Sequence, residues 1–294
     1  MTDIVLFHRD TDGYAAASIA YQMFGDKAEY YSVQYNEKLP SRLSESLAED
    51  NIYILDFSYK KDICEELYQS AKSLLILDHH KTAAEELKGL DYAIFNMNHS
   101  GNILTWKHFF PEFKPTKYHL LAEDRDLWKF VYGDESKAFI LSLSLLPVSK
   151  KDTKEYLKFL VTLNDEKILN EYIAFGYTLL KKQQKDVSSV KNNTTGFKIV
   201  NFKDSQFILY NTTSNISETA EAFYSDEILD AFNTLSYFIL NEKVIFSMRS
   251  NKIKGTDVSA IAVSMGGGGH INAAGFGLPI IEGLELIKEL LLQN

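Results

Sequence analysis

Residues 51–80 read NIYILDFSYKKDICEELYQSAKSLLILDHH. Two short apolar runs rich in β-branched and aromatic residues, NIYIL and SLLIL, flank the amphipathic stretch KDICEELYQSA. Strand, helix and strand in that order form a βαβ unit, whose two strands run parallel with the helix laid over the sheet. Each strand ends on an aspartate, Asp56 and Asp78, and the second is followed directly by His79 and His80.

The alternation continues upstream through DIVLFH (3–8), GYAAASIAYQMF (13–24), AEYYSVQY (28–35) and SRLSESLAED (41–50), the last read as a helix. The pattern predicts a parallel sheet covered by helices on both faces. In such open sheets ligands bind beyond the carboxyl ends of the strands. His8, Asp10, Asp12, Asp56, Asp78 and His79 all fall at or just past such ends, so three strands converge on one rim.

Residues 112–192 turn helical and charged without a strong strand signal, and the polar turn KNNTTG follows at 191–196. Strands resume with FKIVNF and SQFILYN, then comes a helix ISETAEAFY, a hairpin LSYFILNEKVIFSMRS turning at Asn241-Glu242, and a last helix IEGLELIKELLLQ. The expected fold class is α/β. Its parts are an N-terminal parallel-sheet domain with flanking helices at 1–150, a helical connector at 151–194 and a smaller C-terminal α/β domain at 195–294.

A chain of 294 residues with 45% apolar content is long enough for two domains, and its net charge of −9 opposes a coat for long duplex nucleic acid. No apolar run reaches the roughly 18 residues of a membrane span, and MTDIVLFHRD lacks the marks of a signal peptide. A cytoplasmic protein that engages no membrane is expected. The single cysteine, Cys64, leaves histidine and carboxylate as the available metal donors. Carboxylates gathered around a phosphorylated substrate would require cations between them.

HRDTDG (8–13) spaces His8, Asp10 and Asp12 on alternate residues, which an extended backbone would turn to one side, with Gly13 allowing the turn into a helix. Alone, this segment or Asp56 would also serve as a helix cap. Three successive strands each delivering Asp or His to one edge suit a pair of divalent ions that share a carboxylate and activate a water for attack on a phosphoester. Manganese suits mixed imidazole and carboxylate donors.

HRDTDG, Asp56 in ILDFS and Asp78-His79-His80 resemble motifs I, II and III of the DHH phosphoesterase superfamily, and SMRS (247–250) with GGGGHINAAGF (266–276) resembles its C-terminal DHHA1 domain. RecJ-type exonucleases and nanoRNases belong to this group. The resemblance implies two manganese ions, with Mg2+ or Co2+ as substitutes. His8 and Asp10 would hold one, Asp12 and His79 the other, and Asp56 would bridge. Asp78 would orient a histidine and His80 would contact the scissile phosphate. A further ligand is expected in AEDRDLW (122–128), where Asp124 is preferred and Asp126 is the alternative.

For substrate, Arg249, Ser250 and His270 are expected to clamp a terminal nucleotide, with the backbone of Gly267, Gly268 and Gly269 forming an anion nest and Ser100 opening a helix toward phosphate. Tyr30, Tyr31 and Tyr35 read as sheet and core packing. The leading function is hydrolysis of short oligoribonucleotides to mononucleotides. The alternatives are a cyclic-dinucleotide or pAp phosphohydrolase, then an exopolyphosphatase or pyrophosphatase, and outside enzymes a nucleotide sensor. The expected partner is a short oligonucleotide or small phosphorylated nucleotide, with homodimerisation left open.

Overall fold

A computed structural model of the chain describes residues 1–35, 37–146, 152–224 and 232–293. They divide into two compact units, Met1–Leu180 and Lys181–Asn294. The boundary expected at 150/151 lies outside the described residues.

The first unit contains β1 (Asp3–His8), α1 (Thr11–Phe24), β2 (Glu29–Val33), β3 (Asn51–Leu55), α2 (Lys61–Ser70), β4 (Ser73–Asp78), α3 (Lys81–Glu86) and β5 (Ala93–Phe95). The helices α4 (Gly101–Phe109), α5 (Lys117–Asp126), α6 (Asp134–Ser142), α7 (Thr153–Thr162) and α8 (Glu166–Asn192) follow, and α8 continues into the second unit. The five strands form one parallel sheet in the order β2-β1-β3-β4-β5.

Alternation along the strands sends successive side chains to opposite faces. Ile4 and Leu6 of β1 join Ile52, Ile54 and Ile76 over Cys64 and Leu67 of α2, whereas Val5 and Phe7 pack with the alanines of α1 on the other side. The run Ala15-Ala16-Ala17 is fully buried, because small side chains let α1 lie close to the sheet while α4 and α7 cover it. Much of the stretch expected as a connector is part of this core: Tyr156 and Leu157 of α7 and Leu169 and Ile173 of α8 pack there, and the Tyr14 and Tyr156 rings meet edge to face at 5.0 Å.

SRLSESLAED does not form the expected helix. Only one tight turn, Ser41–Ser44, is helical. Leu43 and Leu47 are both buried without it, and the interleaved serines favour local hydrogen bonds over helix continuation.

The second unit contains β6 (Phe197–Phe202), β7 (Ser205–Asn211), α9 (Ile216–Tyr224), β8 (Asn233–Leu240), β9 (Lys243–Ser250), α10 (Val258–Ser264), β10 (Gly268–His270), β11 (Ala273–Pro279) and α11 (Ile280–Leu291). Its six-stranded mixed sheet runs β10-β11-β9-β8-β7-β6. Leu235, Phe246, Met248 and Phe276 pack against α10 and α11, while Ile208 and Tyr210 pack against Phe223 of α9 on the other face. The β8–β9 hairpin turns where expected, with Asn241 at φ 54°.

Candidate metal centre

Strand register builds the rim. Phe7 pairs with Leu55 and Leu55 with Leu77, so His8, Asp56 and Asp78 come next in one row across β1, β3 and β4. The Asp56 N–H donates to the Leu77 carbonyl at 2.8 Å and locks that row. The sheet's strand order reverses between β1 and β3, which is where open α/β sheets form their binding crevice.

The motif HRDTDG is not one extended run: His8 and Asp10 are extended, and Asp12 is already helical. His8 ends β1, Asp10 caps α1 by accepting the Gly13 N–H at 2.9 Å, and Asp12 lies in the first turn of α1. Gly13 serves close approach: a Cβ there would stand 2.1 Å from the His8 carbonyl oxygen.

Three overlapping groups of donors result among the described residues: His8, Asp10 and Asp56; Asp12, His79 and Asp126; and Asp56, His79 and His80. His8 Nδ1 lies 2.7 Å from Asp10 Oδ2 and 3.8 Å from Asp56 Oδ2. His8 Nε2 meets Gln34 Oε1 at 2.9 Å, and that same oxygen accepts the Tyr35 N–H. An amide oxygen only accepts, so Nε2 carries a proton and Nδ1 is the atom turned toward the carboxylates. Burial disfavours the His8 imidazolium, but Asp10 and Asp56 overcome it and raise its pKa to about 10.

In the second group His79 Nε2 stands 3.1 Å from Asp56 Oδ1 and 3.5 Å from Asp126 Oδ2. Donor atoms of His8, Asp10 and Asp56 gather within 4.8 Å of one another, as do those of Asp12, His79 and Asp126. Asp56 is 1% exposed, its backbone is left-handed at φ 56°, and neither carboxylate oxygen has a hydrogen-bond donor among the described residues. Burial, followed by the charge of Asp12, pushes the Asp56 carboxyl well above the usual range, and the same causes act on Asp126. A buried carboxyl that is repelled by Asp12 and has no hydrogen-bond donor among the described residues, as Asp56 is, fits a cation shared with the surrounding imidazole and carboxylate donors.

Asp124 is placed differently from expectation. Its oxygens accept the backbone N–H groups of Val131 at 2.7 Å and Tyr132 at 3.3 Å, so it ties down the turn after α5. Two residues on, Asp126 comes round to the metal donors. A helix turns about 100° per residue, so residues two apart face different ways.

Asp78 is fully buried and accepts from Ser58 Oγ at 2.6 Å, from the His79 N–H at 2.7 Å and from the His80 N–H at 3.1 Å. It also contacts His80 Nδ1 at 2.7 Å, leaving Nε2 as the ring atom turned away. Burial alone would raise the Asp78 carboxyl, but His80 and Ser58 hold it low. Tyr30 is a core residue, yet Tyr35 is 45% exposed with its ring against His8 and His80 at 5.5 and 6.3 Å. Ser100 is fully buried and accepts from Asn102 Nδ2, and the first turn of α4 turns its Asn102 N–H to Asp12 rather than outward to a phosphate. Gln34 and Asn102 were not legible as site residues, since no motif marks an uncharged amide.

In the second unit, Arg249 Nε donates to Ser217 Oγ at 3.1 Å and Nη1 to the Met248 carbonyl at 2.8 Å. Burial lowers its pKa, and Tyr210, Tyr224 and Glu218 oppose that. Ser250 is 5% exposed and is engaged with Ile271 O and Asn272 Nδ2, so it braces the sheet instead of facing outward. The glycine run does structural work: the N–H groups of Gly266 and Gly267 close α10 on Val263 and Ala262, with Gly266 at φ 77°. Gly268, Gly269 and His270 then form the exposed edge strand β10 against β11.

Residues 206–293 match the DHHA1 domain family. Over its length the chain is 28% identical to the uncharacterized protein R106 of Acanthamoeba polyphaga mimivirus, covering 96% of this chain and 68% of that protein. Among solved structures it resembles the pGpG-specific phosphodiesterase PggH of Vibrio cholerae, with a TM-score of 0.59, 14% identity, and coverage of 99% of this chain and 97% of that one. It also resembles RecJ of Thermus thermophilus in complex with Mn2+, with a TM-score of 0.54, 12% identity, and coverage of 98% and 51%. At these identities the two structures share the fold.

Proposed function

We propose that this chain, whose residues 206–293 match the DHHA1 domain family, is a DHH-type two-metal phosphoesterase acting on a small phosphorylated nucleotide. The observation that carries the reading is Asp56, a buried carboxylate with no hydrogen-bond donor among the described residues that belongs to two donor groups and stands 3.1 Å from His79 Nε2, a donor of the remaining group. The small-nucleotide alternative has better support than the stepwise oligoribonuclease reading, because the named relative PggH is specific for pGpG.

His8 through Nδ1, Asp10 and Asp56 would hold one ion, and Asp12, His79 through Nε2 and Asp126 the other, with Asp56 shared. When bound, such ions acidify a water and polarise the phosphoryl oxygens. Around them the chain orients and binds. Asp78 fixes the His80 ring so that Nε2 meets the phosphate, and Gln34 fixes the His8 tautomer. Arg249 is proposed to grip a non-reacting part of the substrate with a directional, charge-assisted bond.

A turnover panel tests the reading: pGpG, a cyclic dinucleotide, pAp, a five-residue RNA and pyrophosphate, each with Mn2+, with Mg2+ and after chelation. Hydrolysis of one of the first three, abolished by chelation and restored better by Mn2+ than by Mg2+, is the expected result. Turnover of pyrophosphate alone would refute the nucleotide reading, and tight binding of a nucleotide with no hydrolysis would favour a sensor.

A further inference from the structure

Asp12 lies inside a helix, and α4 holds it. Asn102 is fully buried; its Nδ2 donates to Asp12 Oδ1 and to Ser100 Oγ, and its backbone N–H donates to Asp12 Oδ2 at 3.2 Å. Each carboxylate oxygen of Asp12 thus receives one N–H from the same residue, which fixes the plane of the carboxylate. Both side-chain hydrogens of Asn102 are used, and its Oδ1 is buried with no partner among the described residues. For stability alone this is a poor choice, because an unmet buried acceptor costs more than an apolar side chain of the same shape. The amide is kept where Asp12 needs its hydrogens.

The residue before it acts on the other carboxylate. A Cβ on Gly101 would stand 2.4 Å from Asp56 Cβ and 2.6 Å from Asp56 Oδ1, so the glycine lets α4 close directly onto Asp56. Consecutive residues of one helical turn therefore locate Asp56, which stands with His8 and Asp10 and also with His79, and Asp12, which stands with His79 and Asp126.

We propose that Asn102 is a positioning residue for the second metal position: it presents Asp12 to the ion shared with His79 and Asp126, and it leaves the position of His8 and Asp10 alone. The proposal rests on the two-ion reading above. Groups that hold a metal ligand in place typically change affinity 10- to 100-fold when removed.

The test is Mn2+ binding to the full chain, followed by electron paramagnetic resonance of free Mn2+ and by calorimetry. Wild type is compared with Asn102→Leu, which keeps the branched heavy-atom skeleton but has no hydrogen-bonding groups, and Asn102→Ala, which removes the amide without adding bulk. Wild type is expected to take up two ions. In each variant one affinity stays within about twofold and the other falls about 10- to 100-fold. Unchanged affinity at both positions in a folded variant, even one with a lower metal-free melting temperature, would make Asn102 merely structural and overturn the inference. Equal weakening at both positions overturns it too. Fewer than two ions on wild type overturns the two-ion reading itself, whatever Asn102 does.

Discussion

Asp56 turns Oδ1 to His79 Nε2 at 3.1 Å while its backbone sits in the left-handed region at φ 56°. A β-strand that ends this way bends sharply, and the bend lets one carboxylate face donors from two sides. A non-glycine residue held there is strained, and such strain gathers at functional sites.

Asp56→Asn is the first consequence to check. Asparagine tolerates the left-handed backbone, so the fold should survive. Turnover should fall by more than the roughly 100-fold typical of losing a residue that merely supports a ligand. The metal-free melting temperature should rise, because a neutral amide removes a buried charge that Asp12 opposes. Thermal unfolding with and without Mn2+ reads both effects; a variant still stabilised by Mn2+ as strongly as wild type would contradict the shared role.

Asp126 and Asp124 should separate cleanly. Asp126→Asn is expected to weaken the response to Mn2+ and leave metal-free stability nearly unchanged or higher. Asp124→Ala removes the acceptor of the Val131 and Tyr132 N–H groups and should cost about 1–3 kcal/mol in urea unfolding, with the Mn2+ response retained. The reverse pattern would make Asp124 the ligand.

Gly101→Ala sets helix propensity against the site. In an exposed helix interior the change would gain about 1 kcal/mol. Here the added Cβ meets Asp56 Cβ and Oδ1, beside backbone that cannot swing away. Lower stability and lower Mn2+-dependent turnover are both expected, measured by denaturation and initial rates.

His119 gives a pH dependence away from the metal donors. It is fully buried against Trp106 and Tyr118, neither ring nitrogen has a hydrogen-bond partner among the described residues, and burial pushes its pKa down to about 3. The unfolded chain takes up a proton below about pH 6.5, whereas the folded chain resists it. Stability is therefore undiminished above that pH and is lost as pH falls toward 3. At pH 5 the loss is on the order of 2 kcal/mol. Urea unfolding at pH 8 and pH 5 should show this difference in wild type and not in His119→Phe; an equal pH response in both would remove the assignment.

Much of the first unit was legible because hydrophobic pattern and strand ends are local properties. NIYILD and SLLILDHH announce parallel strands, and DIVLFHRD announces a third with its donors at the same edge. Strands β5, β10 and β11 were not legible, since AIF is brief and the glycines and alanines of GGGGH and AAGFGLP carry little strand propensity. Nor was the place of α7 and α8 in the first core, because the same amphipathic pattern serves a connector or a packing helix.

The sequence by itself determined which residue types reach the rim: His8, Asp10, Asp12, Asp56, Asp78, His79 and His80 follow from the strand ends and the motifs. Only the tertiary structure decided which carboxylate of AEDRDLW meets them, because that choice depends on the rotation of α5 against the sheet. It also decided that His8 turns Nδ1 inward while His79 turns Nε2, and that Asn102, 90 residues along the chain, holds Asp12. Periodicity fixes which face a residue occupies on its own element. The pairing of faces between distant elements is set by packing, and donor geometry is written there.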